Sequence, residues 1–179
     1  MMNWAKLMLL EKVKFQPIFD YIRCPLHKYT FDVKVVRQWV EKNCEGYTLN
    51  LFAGMTRLTI NEIRNDLDMK VPADYHMDAL QFVRQWEQTK FDTIILDPPY
   101  SYRKSMEKYE GRISSPFNLL KNELIKIIKF HGKIITFGYH SISMGRKRGF
   151  ITERIALFSH GGAIHDTIVS VERKIFKGE

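Results

Sequence analysis

No run in this chain is apolar for the roughly 20 residues that span a bilayer, so no transmembrane helix is expected. Cysteine is scarce. Cys24 and Cys44 fall into no metal-ligand spacing, and in a reducing compartment they read as free thiols. The six histidines are scattered and make no cluster with the cysteines, so no metal is expected. Internal repeats, low-complexity tracts and linkers are all missing, which leaves one domain over residues 1–179. The segment Met1 to Lys14 has a short Leu-Met-Leu-Leu patch flanked by Lys6 and Glu11, without a cleavage pattern, so a cytoplasmic location is expected. Acidic residues are in deficit, 20 against 28 basic ones, giving a net charge of +8. That balance favours a polyanionic partner, because Lys and Arg displace counterions from phosphates.

What is present centres on one stretch. Phe91 to Leu96 is an apolar run that reads as a buried strand. It stops at Asp97-Pro98-Pro99-Tyr100. Proline has no N–H for a β ladder, so the chain must leave the sheet here. A carboxylate and an aromatic ring are then held at a strand's carboxyl end, where open α/β sheets bind ligands. This tetrapeptide can be only a rigid turn. It also suits transfer to an exocyclic amine, whose lone pair is delocalised into its ring. The Asp97 carboxylate and the Pro98 carbonyl would accept its two N–H groups and aim the lone pair, Pro99 would stiffen the turn, and Tyr100 would offer a π-face.

Asp97-Pro98-Pro99-Tyr100 resembles the catalytic motif of S-adenosylmethionine-dependent DNA amino-methyltransferases, which act on adenine N6 or cytosine N4. Upstream, Leu49-Asn50-Leu51-Phe52-Ala53-Gly54-Met55-Thr56 resembles their cofactor motif, a strand followed by Phe-x-Gly. Asn50 stands where that family more often has an acid, and Thr56 where it more often has a second glycine. The resemblance implies an α/β, Rossmann-like class I methyltransferase fold, mostly parallel with a C-terminal antiparallel hairpin. It implies S-adenosyl-L-methionine as cofactor, held by Phe52, Ala53, Gly54, Asp66, Asp78 and Ala79. It also implies that residues 1–31 form an N-terminal extension that contributes to the cofactor site through Thr30. The expected substrate is a nucleic-acid base, adenine N6 in DNA before cytosine or RNA. A non-catalytic nucleic-acid-binding module is the alternative from a different class. No membrane partner is expected. With no separate target-recognition domain, specificity would be low or would come from a homodimer or a partner.

Taken in order, Asp32 can cap a helix that puts Val33, Val36, Trp39 and Val40 on one face. Tyr47 to Phe52 reads as a strand, and Gly54 allows a tight turn. Leu58 to Asn65 is already β-like, so the usual crossover helix is shortened to a loop. Asp66, or else Asp68, follows at the strand's end, where a carboxylate can accept both ribose hydroxyls. Asp78 begins a helix with Ala79, Phe82, Val83 and Trp86 on one face. Residues 100–115 interleave Arg103 and Lys104 with tyrosines, which suits a nucleic-acid strand. Ser115-Pro116 starts a helix ending near His131-Gly132. A strand from Lys133 to Phe137 leads to Tyr139 and His140, candidate walls of a base pocket. Arg146-Lys147-Arg148, between two glycines, reads as a phosphate-contacting loop at the same end. Arg154 to Ser159 and Thr167 to Lys174 read as a closing hairpin.

Overall fold

A computed structural model describes residues 16–98, 116–162 and 165–176. Its centre is a seven-stranded sheet in the order β1-β6-β7-β5-β4-β2-β3. The strands are β1 (Ile18–Arg23), β2 (Thr48–Asn50), β3 (Glu62–Arg64), β4 (Phe91–Leu96), β5 (Ile128–Gly138), β6 (Phe150–Ser159) and β7 (Thr167–Lys174). All neighbouring pairs are parallel except those of β7, which runs antiparallel to both β5 and β6. Helices α1 (Lys34–Asn43), α2 (Ala79–Gln85) and α3 (Pro116–Ile127), with 3₁₀ turns at Thr30–Asp32 and Arg146–Arg148, complete the described regular elements.

The apolar run of β4 is explained by burial on both faces. Ile94 and Leu96 point into a cluster with Phe82, Val83, Leu120 and Leu124 of α2 and α3. Ile95 points the other way, into a cluster with Val36, Trp39 and Val40 of α1. Ile134 and Ile135 of β5 divide in the same manner. The period-2 alternation of a strand thus supplies a core on each side, and each such side chain contributes about 1.5–3 kcal/mol on burial.

Several elements differ from the sequence expectation. The strand expected from Tyr47 to Phe52 is only Thr48–Asn50, because the chain turns upward at Leu51 toward the site. Val33, not Asp32, occupies the N-cap of α1, and no side chain caps it. Asp32 instead accepts a hydrogen bond from the Thr56 hydroxyl. The helix expected to reach His131 ends at Ile127, since Ile128 already pairs with Phe91 of β4. The connection between β2 and β3 carries no helix, and β3 is shorter than the β-like run suggested. β1 adds a parallel edge strand beside β6.

Candidate active site

A cavity of about 710 Å³ lies over the carboxyl ends of the parallel strands. Its size falls within the roughly 300–1,000 Å³ typical of small-molecule sites. Leu51, Phe52, Ala53 and Gly54 after β2, Asp66 and Asp68 after β3, and Asp97 and Pro98 after β4 all line it. The chain from Pro25 to Phe31 crosses over it and supplies Thr30. Asp78 and Ala79 close it at the start of α2.

Local chemistry fixes these groups. Gly54 has φ +61°, in the left-handed region, which an L side chain enters at a cost of roughly 1–2 kcal/mol. Its N–H donates to Asp66 Oδ2 at 2.9 Å, and Asp66 Oδ1 accepts the Asp68 N–H at 2.9 Å. Asp78 is the N-cap of α2: Oδ1 accepts from the Leu80 and Gln81 amides at 3.0 and 3.1 Å. Two carboxylates and a glycine turn thus face one cavity, an acceptor set that fits the ribose hydroxyls and exocyclic amine of an adenosyl group.

Asp97 follows Leu96, which is paired with Thr136 of β5. Beyond it the cavity continues along Phe137, Gly138, Phe158, His160 and Thr167. The Phe137 and Phe158 rings are stacked with centroids 6.4 Å apart, and Phe31 meets Phe137 edge-on at 5.7 Å. His160 Nδ1 lies 3.2 Å from the Cys24 carbonyl and Nε2 lies 3.0 Å from Thr167 Oγ1. The carbonyl can only accept, so that contact is a hydrogen bond when Nδ1 carries the proton, and the Cys24 Sγ lies 3.7 Å from the same nitrogen. Burial pushes the Cys24 thiol above its ordinary value.

The expectations placed on Pro99, Tyr100, Arg103 and Lys104 lie outside the described residues. Tyr139 and His140 sit just past β5 and are exposed, but Gly138, not they, lines the cavity. Arg146-Lys147-Arg148 is a 3₁₀ turn at the opposite end of the strands from the cavity, a correction to its expected place. It leads into Phe150, paired with Lys174 at the far end of β7, whereas Thr167 opens β7 at the cavity. The cause is Glu172, fully buried on β7. Its carboxylate accepts the Ser143, Met144 and Gly145 amides at 2.9, 2.8 and 2.9 Å and draws residues 143–145 down the sheet. Arg148 then bonds Asn122 of α3 and the Met144 carbonyl at 2.8 and 3.2 Å.

Sequence reasoning missed a buried polar group beneath the Gly54 turn. Arg64 and Glu62 are sealed from solvent, with Arg64 Nε 3.5 Å from Glu62 Oε1. This is a charge contact without hydrogen-bond geometry, since Nε makes no hydrogen bond. Burial raises the Glu62 carboxyl and lowers the Arg64 guanidinium from their ordinary values. Asn50 is buried as well. It turns away from the cavity and donates to Glu62 Oε2 at 3.1 Å. Charged residues two apart in a β-like run were the available signal, since they share a strand face. His160 and Thr167 were missed too, because they belong to the closing hairpin.

No family model and no curated protein matches this sequence. Solved structures do. The N-methyltransferase NodS from Bradyrhizobium japonicum WM9 is 9% identical, with a TM-score of 0.59 over 84% of this chain and 100% of that one. TrmN from Thermus thermophilus is 16% identical, with a TM-score of 0.54 over 80% of this chain and 49% of that one. The 1,6-didemethyltoxoflavin-N1-methyltransferase of Burkholderia thailandensis, solved with S-adenosylhomocysteine, is 10% identical, with a TM-score of 0.53 over 76% of this chain and 74% of that one. At these identities the likeness is one of fold, and the sheet with its antiparallel β7 is a Rossmann-like class I methyltransferase fold.

Proposed function

We propose that this protein is an S-adenosylmethionine-dependent methyltransferase acting on the exocyclic amine of a nucleic-acid base, with adenine N6 in DNA as the preferred target. One observation carries the reading: Asp97 and Pro98 line the same cavity as Gly54, Asp66 and Asp78. An amine site and an adenosyl site are therefore one connected space.

When bound, the cofactor supplies an electrophilic methyl group on a sulfonium. Asp66 would accept the ribose hydroxyls, Asp78 the adenine amine, and the Ala53-Gly54 backbone would flank the remainder. The chain's own contribution at the acceptor is orientation. The Asp97 carboxylate and Pro98 carbonyl accept the two amine N–H groups, so that the nitrogen lone pair is aimed rather than spread into the ring. The carboxylate also stabilises positive charge as it develops on that nitrogen and receives the proton the amine sheds. Phe137, Phe158, His160 and Thr167 form the end of the cavity beyond Asp97. Thr167 lies two strands from β4, about 10 Å at ordinary strand spacing, so this wall stands across β5 from Asp97.

A base stacked in a duplex cannot enter such a space. A double-stranded target must flip its base, at a cost of a few kcal/mol. The net charge of +8 supports a polyanionic partner without choosing between DNA and RNA. Since the Arg146 to Arg148 turn lies at the far end of the strands from the cavity, phosphate contacts near the target base fall to other residues. Incubation of the full chain with methyl-labelled cofactor, DNA and RNA side by side, followed by nucleoside mass spectrometry, tests the reading. Labelled N6-methyladenine in DNA is the expected product. Label in RNA alone moves the substrate to an RNA base, and no label in either overturns the assignment.

A further inference from the structure

A glycine turn after the first strand of such a fold is ordinarily steadied by the helix that follows it. Here residues 51–61 join β2 to β3 without one. The Gly54 turn is held instead from beneath, by two consecutive residues at the end of β3. Arg64, 0% exposed, donates from Nη2 to the Gly54 carbonyl at 2.6 Å and to the Ala53 carbonyl at 3.4 Å. Its Nη1 donates to the Pro72 carbonyl. Asn65, 1% exposed, donates from Nδ2 to the Leu51 and Met77 carbonyls at 3.3 and 3.0 Å and accepts the Met77 N–H at 3.2 Å.

These bonds join three segments that wall the cavity. Leu51 to Gly54 form the turn, Pro72 neighbours the lining residue Val71, and Met77 precedes Asp78. Glu62 completes the arrangement by facing the Arg64 charge while accepting the Leu58 amide at 3.0 Å. Burying a guanidinium is costly unless its donors are met. A position needed for packing alone would be served by an apolar side chain. The planar fork reaches two loops at once, which neither an ammonium nor an aliphatic chain can do.

We propose that Arg64 and Asn65 are positioning residues of the cofactor cavity. They fix the distance between the Gly54 turn and the Asp78 helix start, the two places that an adenosyl group must touch together. This rests on the cofactor reading above, and the experiment separates the two. Two full-length variants serve: Arg64→Lys, which keeps the charge beside Glu62, and the double variant Glu62→Gln with Arg64→Met, which removes both charges at similar volume. S-adenosylhomocysteine affinity is measured by calorimetry, the thermal midpoint without ligand, and KM separately for cofactor and acceptor. The expected result is a midpoint within a few degrees of the parent, at least a tenfold loss of affinity for S-adenosylhomocysteine, and an unchanged acceptor KM. A folded variant with parental affinity overturns the proposal. So does a collapse of the midpoint in both variants, which would make the pair a stability element only. A parent chain that does not bind S-adenosylhomocysteine overturns the cofactor reading itself, and the positioning role with it.

Discussion

Asp66 Oδ2 accepts the Gly54 amide at 2.9 Å, so the acid after β3 and the glycine after β2 are one hydrogen-bonded unit. The same carboxylate holds the Asp68 amide through its other oxygen. Asp66 therefore comes to a ligand already oriented, whereas Asp68 is exposed and its Oδ1 accepts the Lys70 amide. Asp66→Ala is predicted to weaken S-adenosylhomocysteine binding by at least tenfold in calorimetry, about 1.4 kcal/mol or more. Asp68→Ala is predicted to change it by less than half as much in free energy. The reverse ranking would make Asp68 the ribose acceptor.

Gly54 at φ +61° has a different vulnerability. A Cβ there would stand 3.7 Å from the Tyr29 ring, an ordinary contact, so space is not the obstacle. The backbone angle is. Gly54→Ala is predicted to cost about 1–2 kcal/mol, spread between the melting midpoint and cofactor affinity. An unchanged value of both would show that the turn relaxes freely and is no rigid cradle.

Asp78 has a structural duty that can be separated from its proposed one. Asn caps a helix about as well as Asp, while Ala costs about 1 kcal/mol. Asp78→Asn is thus predicted to preserve thermal stability but weaken cofactor binding, since it alters the proposed partner of an adenine amine. Parental affinity in that variant would reduce Asp78 to its cap.

Acid lability is predicted near the amino ends of the central strands β4 and β5, away from the cavity. Lys129 Nζ lies 2.8 Å from both Asp92 oxygens and holds that carboxyl below its ordinary value of 3.8. Arg173 leads the groups that hold Glu45 below 4.5. A carboxyl depressed in the folded state adds stability above its unfolded value and loses it as pH falls through the folded one. The contribution of these two is therefore full above about pH 4.5 and fades as pH drops below 3.8. Lys129→Met is predicted to flatten the acid side of a plot of melting midpoint against pH. An unaltered slope would show that the pair carries no linked stability.

The legible parts of this chain were those where chemistry and burial agree. β4 was readable because both its faces are covered, and its end because proline forbids continuation. The apolar face of α1 and the closing hairpin were readable for similar reasons. β1 was hidden because one of its inward positions is Asp20, whose carboxylate meets Arg154 and the Trp39 indole. Ile128 continued the helical period of α3, and only pairing with Phe91 makes it a strand residue. Glu172 was unreadable as a buried group, because its partners are backbone amides of a loop nearly thirty residues away, and the spacing of Glu62 and Arg64 hinted at a shared strand face without showing which carbonyls Arg64 and Asn65 would meet. The same blindness misplaced Arg146-Lys147-Arg148, since the pull of Glu172 on residues 143–145 carries the turn away from the cavity.

The central assertion is that Asp97 serves the acceptor amine in a space shared with the cofactor. Calorimetry with S-adenosylhomocysteine and single-turnover methyl transfer, run together on Asp97→Ala, address it directly. Parental affinity with transfer reduced at least a hundredfold is the predicted pair of values. Transfer within a fewfold of the parent at that affinity would contradict it.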